Sequence, residues 1–487
     1  MNMAQLCLDH PADRVAIVDL TGKARRDVTF GVLAAMTDGI ARALQARVRP
    51  GDRVGVLLSQ SPWCAAAHLA VWKIGAISVP LFKLFKHDAL ASRVGDAGAQ
   101  IVLTDAEGAA LLGDLAEPWI AAEIGTDGAS VPTAEAGPDT PGLLIYTSGT
   151  TGKPKGALHG HGVLAGHLPG VVLSHDHLGQ PGDCLWTPAD WAWIGGLLDV
   201  IMPGLALGVP VVASRLDKFT TEDCLRVIAT GGARNVFFPP TALRILKASG
   251  AAIPGLRSVA SGGEPLGAEM LAWGRQAMGV TINEFYGQTE CNVVVSSCAA
   301  DFAPRPGCMG KPVPGFDVQV IDAAGMPTEG EGDIAVRQGA PTMMLEYWRN
   351  PQATAQKFRG DWLLTGDRGV REGDFIRFVG REDDVITSAG YRIGPAEIED
   401  CLLTHPGVAT VGVVGKPDAL RTEIVKAYVV RKPGVAVTAE ALQAWVKDRL
   451  AGYSYPREIA FLDALPMTVT GKVIRKELKR MAAEETA

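Results

Sequence analysis

Apolar and polar positions alternate between two periods along the first three hundred residues. Val15-Ala16-Ile17-Val18, Val54-Gly55-Val56-Leu57-Leu58 and Ile101-Val102-Leu103 are short apolar runs that read as buried strands. Between them, residues 30–46 and 63–74 carry apolar side chains at helical spacing, and that alternation predicts an α/β layer fold. Residues 125–139, rich in Gly, Ala, Pro and Thr, read as a connecting loop. The pattern resumes with Val211-Val212-Ala213, Asn235-Val236-Phe237-Phe238, Ser258-Val259-Ala260 and Val280-Thr281-Ile282, whose spacing suits a parallel sheet with helical crossovers. Past Pro312 the texture changes. Residues 316–321, 332–337 and 375–379 read as strands with turn residues between them, which suits a small antiparallel or barrel-like subdomain. The polar stretch Gly380-Arg381-Glu382-Asp383-Asp384 marks a boundary. Beyond it come a helix over 395–403, strands over 408–414 and 423–430, and a helix over 438–450. The expected fold class is therefore α/β: a large N-terminal domain over 1–383, then a small α+β C-terminal domain over 384–487.

Composition narrows the classes. Of 487 residues, 47% are hydrophobic and 20% charged, the balance of a globular chain with more than one core. The formal net charge of −7 and the lack of a long Lys/Arg run exclude an obvious nucleic-acid partner. Residues 472–480 form the densest basic cluster, which reads as a solvated helix face. The first twenty residues lack a basic segment followed by an apolar one, so no secretory signal is expected. The longest apolar region, 194–213, contains Asp199, Pro203 and several glycines, and reads as core rather than a membrane span. Eight scattered cysteines show no Cys-x-x-Cys spacing, so reduced thiols in a cytoplasm are expected.

Chemistry enters at Tyr146-Thr147-Ser148-Gly149-Thr150-Thr151-Gly152-Lys153-Pro154-Lys155-Gly156, which follows the apolar run Leu143-Leu144-Ile145. Glycines let backbone N–H groups approach an anion, and the hydroxyls and lysines add donors and positive charge, so phosphate is the expected guest. The stretch is not a Walker A loop. It resembles the signature of the adenylate-forming superfamily, which includes acyl-CoA synthetases, peptide-synthetase adenylation domains and luciferases. The resemblance implies that Thr147, Ser148, Gly149, Thr150, Thr151 and Lys155 bind ATP.

Four further motifs follow in the order that resemblance requires. Ser261-Gly262-Gly263-Glu264-Pro265-Leu266 would place Gly263, Glu264 and Pro265 against the adenine. Asn283-Glu284-Phe285-Tyr286-Gly287-Gln288-Thr289-Glu290 would set Glu284, Phe285, Tyr286 and Gln288 around the nucleotide. Within it, Thr289 would touch the α-phosphate and Glu290 would hold Mg²⁺, which commonly needs only one protein carboxylate beside nucleotide phosphates. Thr365-Gly366-Asp367 supplies a short carboxylate for two ribose hydroxyls, with Arg381 beside it. Thr470-Gly471-Lys472 supplies the lysine that the superfamily requires for adenylation.

Finer features resemble acetyl- and medium-chain acyl-CoA synthetases. Ala389, Gly390, Tyr391 and Arg392, just before Gly394-Pro395-Ala396-Glu397-Ile398-Glu399, resemble the segment that lines the CoA site. The resemblance also implies a mobile C-terminal domain that rotates about Asp383. Trp191, Trp193, Gly195, Gly262 and Gly287 are the expected acyl-pocket residues. Acetyl-CoA synthetases carry a bulky Trp where this chain has Gly287, so a pocket open to several carbons or a small ring is expected. His159-Gly160-His161 has metal-like residue types without a third ligand, and His159 is a candidate for phosphate or acyl contact. The expected reaction joins a short- to medium-chain carboxylic acid to CoA through an acyl-adenylate, with ATP, Mg²⁺ and coenzyme A as partners and catalytic roles for Lys472, Thr289 and Glu290. The alternatives are an aryl-CoA ligase that activates benzoate-like acids and an enzyme that passes the acyl group to a carrier protein instead of CoA, and a non-catalytic binding protein is a third class. A homodimer is an open expectation.

Overall fold

The computed structural model of the chain describes all residues except 86, 148–153, 217, 389–390, 419–420, 451–453, 469–470 and 486–487, and gives only the backbone of residues 387, 391 and 392. Two large sheets dominate the N-terminal domain. The nine-stranded sheet runs Lys311–Pro312, Asn292–Ser296, Ile282–Gln288, Ser258–Gly262, Asn235–Phe237, Leu185–Trp186, Val211–Ala213, Val15–Asp19, Arg26–Thr29. Its centre is parallel and both margins are antiparallel. The seven-stranded sheet runs Glu346–Tyr347, Lys155–Gly160, Pro141–Thr147, Ile77–Pro80, Arg53–Leu57, Ile101–Thr104, Glu117–Ile120.

The helix Pro62–Lys73 shows why the two sheets share one core. Ser61 caps it by accepting from the Cys64 N–H, and Pro62 suits the first turn because it has no N–H to lose. Eleven of its twelve residues are buried, as expected for a helix apolar on every face and enclosed between layers. Trp72 fixes it by donating its indole N–H to the Gly142 carbonyl at 2.7 Å. The helix Phe30–Gln45, capped by Thr29, packs beside it in the same hydrophobic cluster.

Residues 318–381 form a separate antiparallel sheet: Val318–Ile321, Glu331–Arg337, Trp362–Glu372 and Phe358–Arg359, with Phe375–Arg381 on the other side of Trp362–Glu372. The C-terminal domain has its own five-stranded sheet and its own core around Ile398, Leu402, Val413 and Val429. The α/β class and the large-plus-small organisation read from the sequence agree with this structure. Several details differ, and three matter for the site or its neighbours. The strand expected from 280 starts at Ile282 and runs on to Gln288. Asn292–Ser296 returns antiparallel to it and was not anticipated. The helix expected to 450 ends at Lys447. Among the described residues no helix is long and apolar enough to cross a membrane.

Ser258–Gly262 and Ile282–Gln288 are parallel neighbours in register, Gly262 opposite Phe285. Their carboxyl ends therefore open side by side, the usual place for a ligand crevice in a parallel sheet.

Candidate functional site

A cavity of about 1880 Å³ opens at those strand ends and is closed on its far side by the C-terminal domain. Backbone approach shapes its floor. A Cβ on Gly262 would lie 2.5 Å from the Phe285 ring, so only glycine fits there. Gly263 has φ +99, a conformation that favours glycine, and the Lys472 ammonium lies beside it, 3.5 Å from the position a Cβ would take. Burial pulls the Lys472 pKa below the ordinary lysine value, and the neighbouring Arg381 adds to this, while Glu264 and Asp367 oppose it. Glu264 is itself paired with Arg244 at 2.6 Å.

Asp367 anchors the next wall. Its Oδ2 accepts from the Tyr286 hydroxyl at 2.6 Å and from Gln288 Nε2 at 3.3 Å, while Arg381 Nη1 stands 4.0 Å from Oδ1. Burial raises the Asp367 pKa, and the Tyr286 hydrogen bond, Arg381 and Lys357 oppose that rise. Lys357 donates to Gln288 Oε1 at 3.0 Å and to the Thr365 carbonyl at 3.3 Å, which fixes the amide that faces the carboxylate. Glu284 is buried, accepts from the Leu266 N–H at 3.3 Å, and is pushed up to about 8 by burial, with Asp400 of the C-terminal domain adding to the shift. Asp400 is itself pushed up to about 7, chiefly by burial, with Glu399 adding to the shift.

Glu290 is 8% exposed and its Oε1 accepts from the Tyr347 hydroxyl at 2.5 Å. No lysine or arginine forms an ion pair with it among the described residues. A buried carboxylate that faces a cavity without a cationic partner suits a hard cation shared with phosphate oxygens. Thr147 and Lys155 face each other across paired strands and both line the cavity. Lys155 Nζ lies 5.2 Å from the Tyr347 ring centre.

The remaining sequence-predicted residues divide. Ser148, Gly149, Thr150, Thr151, Ala389 and Gly390 lie outside the described residues. Tyr391 and Arg392 belong to the strand Tyr391–Ile393, paired antiparallel with Ile386–Ser388. Asp383 sits in the single turn Glu382–Asp384, where its carbonyl accepts from Lys479 Nζ. Pro265, Thr289 and Gly195 line the cavity, as does Trp193, which stacks on Phe237 at 6.0 Å. Trp191 does not. It is fully buried in the main core, because the loop turns between the two tryptophans and sends only the second to the cavity. His159 and His161 part as well. His161 Nδ1 accepts from the Met3 N–H at 3.0 Å, while His159 is buried toward Thr289 and Glu290.

Gly287 lines the cavity but is not a source of open space. A Cβ there would lie 1.7 Å from the Asn292 carbonyl oxygen, because the strand Asn292–Ser296 folds back at a register shift beside it. The room in the cavity therefore does not come from a missing side chain at 287. Gly287→Ala is expected to displace that backbone, lower stability by about 1–3 kcal/mol, and reduce activity with every acid rather than select shorter ones. Thermal melting and a chain-length series read the two effects.

Tyr347, Lys357 and Arg244 were not singled out by the sequence. Each is an isolated polar residue whose partner is distant in the chain, and no local pattern marks it.

Comparison with known proteins sets this geometry in context. The family of AMP-binding enzymes matches residues 4–348, and the AMP-binding enzyme C-terminal domain matches residues 397–472. This chain belongs to the AMP-binding enzyme family. Acetyl-coenzyme A synthetase of Bacillus subtilis is 32% identical over 98% of this chain and 90% of its own length. Human mitochondrial acyl-coenzyme A synthetase ACSM4 is 37% identical over 71% of this chain and 62% of its own length. Among solved structures, ATP-bound MatB from Rhodopseudomonas palustris superposes with TM-score 0.87 at 26% identity, covering 100% of both chains. The anthranilate CoA ligase AuaEII in complex with anthranoyl-AMP gives TM-score 0.88 at 25% identity, covering 100% of this chain and 98% of its own. The relatives thus lie in the acyl-CoA synthetase branch that the sequence motifs resemble.

Proposed function

We propose that the chain is an AMP-forming acyl-CoA synthetase for short- to medium-chain carboxylic acids, in which the residues gathered around the cavity carry out the first half-reaction in the arrangement seen. The observation that carries this reading is the entry of Lys472 from the C-terminal domain into the same cavity as Asp367, Tyr286 and Glu290. A carboxylate is a poor acylating agent because its charge repels a thiolate. Its oxygen attacks the α-phosphorus of ATP, a P–O bond forms, and pyrophosphate leaves. The thiol of coenzyme A then adds to the acyl carbon, and the C–O bond to AMP breaks.

Asp367 suits the two ribose hydroxyls, Tyr286 and Pro265 the adenine, and Thr289 with Lys472 the α-phosphate, where negative charge gathers. Thr147 and Lys155, with the adjoining glycine-rich loop, suit the outer phosphates. Glu290 would hold Mg²⁺, which neutralises phosphate charge when bound. Tyr347→Phe removes the hydrogen bond that orients Glu290 and is expected to raise the Mg²⁺ requirement about 10-fold. The Mg²⁺ dependence of pyrophosphate release at fixed ATP measures it.

Lys472 and the segment at Tyr391–Arg392 serve different half-reactions yet belong to one domain. Rotation of residues 384–487 about Asp383 would exchange them. The polar turn at Glu382–Asp384, with no buried residue, is suited to such a pivot.

A second reading is an aryl-CoA ligase. It is favoured by the aromatic wall, in which Trp193 stacks on Phe237 and Phe237 lies 5.3 Å from Phe285. CoA-dependent AMP release across butyrate, hexanoate, octanoate and benzoate tests both readings. Aliphatic turnover supports the first and benzoate alone supports the second. Pyrophosphate exchange without CoA consumption would point to a carrier protein as acceptor. No carboxylate-dependent exchange would leave only a binding protein.

A further inference from the structure

The cavity is also lined by an ionisable residue, Asp199, that the adenylation chemistry does not use. Asp199 lies on a five-residue π-helical segment, Leu197–Ile201, in the middle of an otherwise apolar region. Pro203 explains the wide turn, since it cannot give the N–H that an α-helix would direct to the Asp199 carbonyl. Such insertions frequently mark functional positions. The Asp199 side chain is 12% exposed, and that exposure is to the cavity, which it lines together with Trp193, Ile194, Phe237 and Val293.

Only half of this carboxylate is satisfied. Oδ1 is 2.6 Å from Nε2 of His167, whose side chain is fully buried in the helix Gly162–Ser174. No described residue donates to Oδ2. Burial raises the Asp199 pKa, and the His167 hydrogen bond opposes the rise. With the proton on His167 Nε2, the Asp199 carboxylate accepts hydrogen bonds and gives none. Among apolar and aromatic walls, an unfilled acceptor costs free energy until a donor reaches it.

We propose that the acid this enzyme activates carries a hydrogen-bond donor, a hydroxyl or an amino group, remote from its carboxylate, and that Asp199 Oδ2 receives it while His167 holds Oδ1. This subsite deepens the acyl-CoA synthetase reading and rests on it. The carboxylate end of the acid is held near Thr289 and Lys472, and the substituted end is read by the helix wall. Trp193 and Phe237 enclose the carbons between. Water entering the large cavity can partly satisfy Asp199, so discrimination falls short of that of a sealed polar pocket.

The test uses the purified full chain and matched acids: pentanoate, hexanoate and benzoate, their ω- or ring-hydroxy and amino counterparts, and an oxo acid that offers only an acceptor. CoA-dependent AMP release gives kcat/KM for each. At least one hydroxy or amino acid is expected to exceed its parent by about 10-fold or more. The oxo acid should not share that gain. Asp199→Leu is expected to reverse the order within the pair, and Asp199→Asn to shrink it. The wild-type comparison does not depend on how either variant folds. Parent acids that equal or surpass every substituted acid overturn the proposal, as does an oxo acid that matches the hydroxy acid. A fall of equal factor for both members of a pair in Asp199→Leu also overturns it. In each of those cases AMP is still released, so the synthetase reading stands. No CoA-dependent AMP release from any acid overturns both.

Discussion

Lys472→Ala is expected to lower acyl-adenylate formation by about 100- to 1,000-fold while thioester formation from supplied acyl-adenylate stays within a few-fold of wild type. The asymmetry follows from where the ammonium lies. It lies beside Gly263, where Glu264 and Asp367 act on its charge, and on the proposed reading it would stand where charge gathers on the α-phosphate. On the proposed rotation, the second half-reaction expels AMP and would call on the other face of the C-terminal domain. A lysine delivered on a loop is a positioned charge, and alanine removes that charge without disturbing a core. Separate assays of pyrophosphate exchange and of CoA consumption from synthetic acyl-adenylate measure the two steps. Equal loss in both would mean that Lys472 supports the cavity as a whole. The pH profile adds a check. The lysine acts in its charged form, and burial lowers its pKa below the usual value. Activity is therefore present below that lowered pKa and declines as pH rises through it, at a lower pH than for an exposed lysine.

The parts of the fold that were legible in the sequence are those whose signal is local. The helix Pro395–Leu403 follows a glycine and opens on a proline, and its limits match the periodic pattern. Phe30–Gln45 differs by one residue at its end, where the helix frays. The strand Asn292–Ser296 was missed although Val293-Val294-Val295 is apolar. The reversal before it depends on Asn292 adopting φ 56, a left-handed conformation that a single Asn does not announce. In the site, the described motif residues from Thr147 to Lys472 line one cavity, but their partners do not share their segments. Tyr347 is 57 residues from Glu290 and His167 is 32 from Asp199. Trp191 and Trp193 are separated by one residue, yet one fills the core and the other lines the cavity. A loop has no period from which to assign their directions. Gly287 carries the same lesson. A small residue in sequence implies space, but the space was already taken by the backbone of Asn292.

Asp367→Asn is expected to weaken ATP binding by about 100-fold and to change kcat less than 10-fold. The carboxylate is buried and accepts from Tyr286 at 2.6 Å and Gln288 at 3.3 Å, with Arg381 4.0 Å away. Its remaining capacity suits two ribose hydroxyls, and hydrogen bonds to a charged group are worth about 1.5–3 kcal/mol each. Asparagine has almost the same shape but turns one acceptor into a donor and removes the charge facing Arg381. Loss of two such bonds corresponds to about 3 kcal/mol or more, which is about 100-fold in affinity. The ribose takes no part in bond making, so the interaction is equally present in ground and transition states. Its loss should appear in KM for ATP, with KM for the acid unchanged. The same substitution should abolish most of the thermal stabilisation that ATP confers, a readout independent of turnover. A fall in kcat as large as the rise in KM would place Asp367 at the reacting phosphate instead. The Tyr286 hydroxyl, now facing an amide, would then be the group to examine through Tyr286→Phe, because its hydrogen bond is the shortest one holding that carboxylate in place.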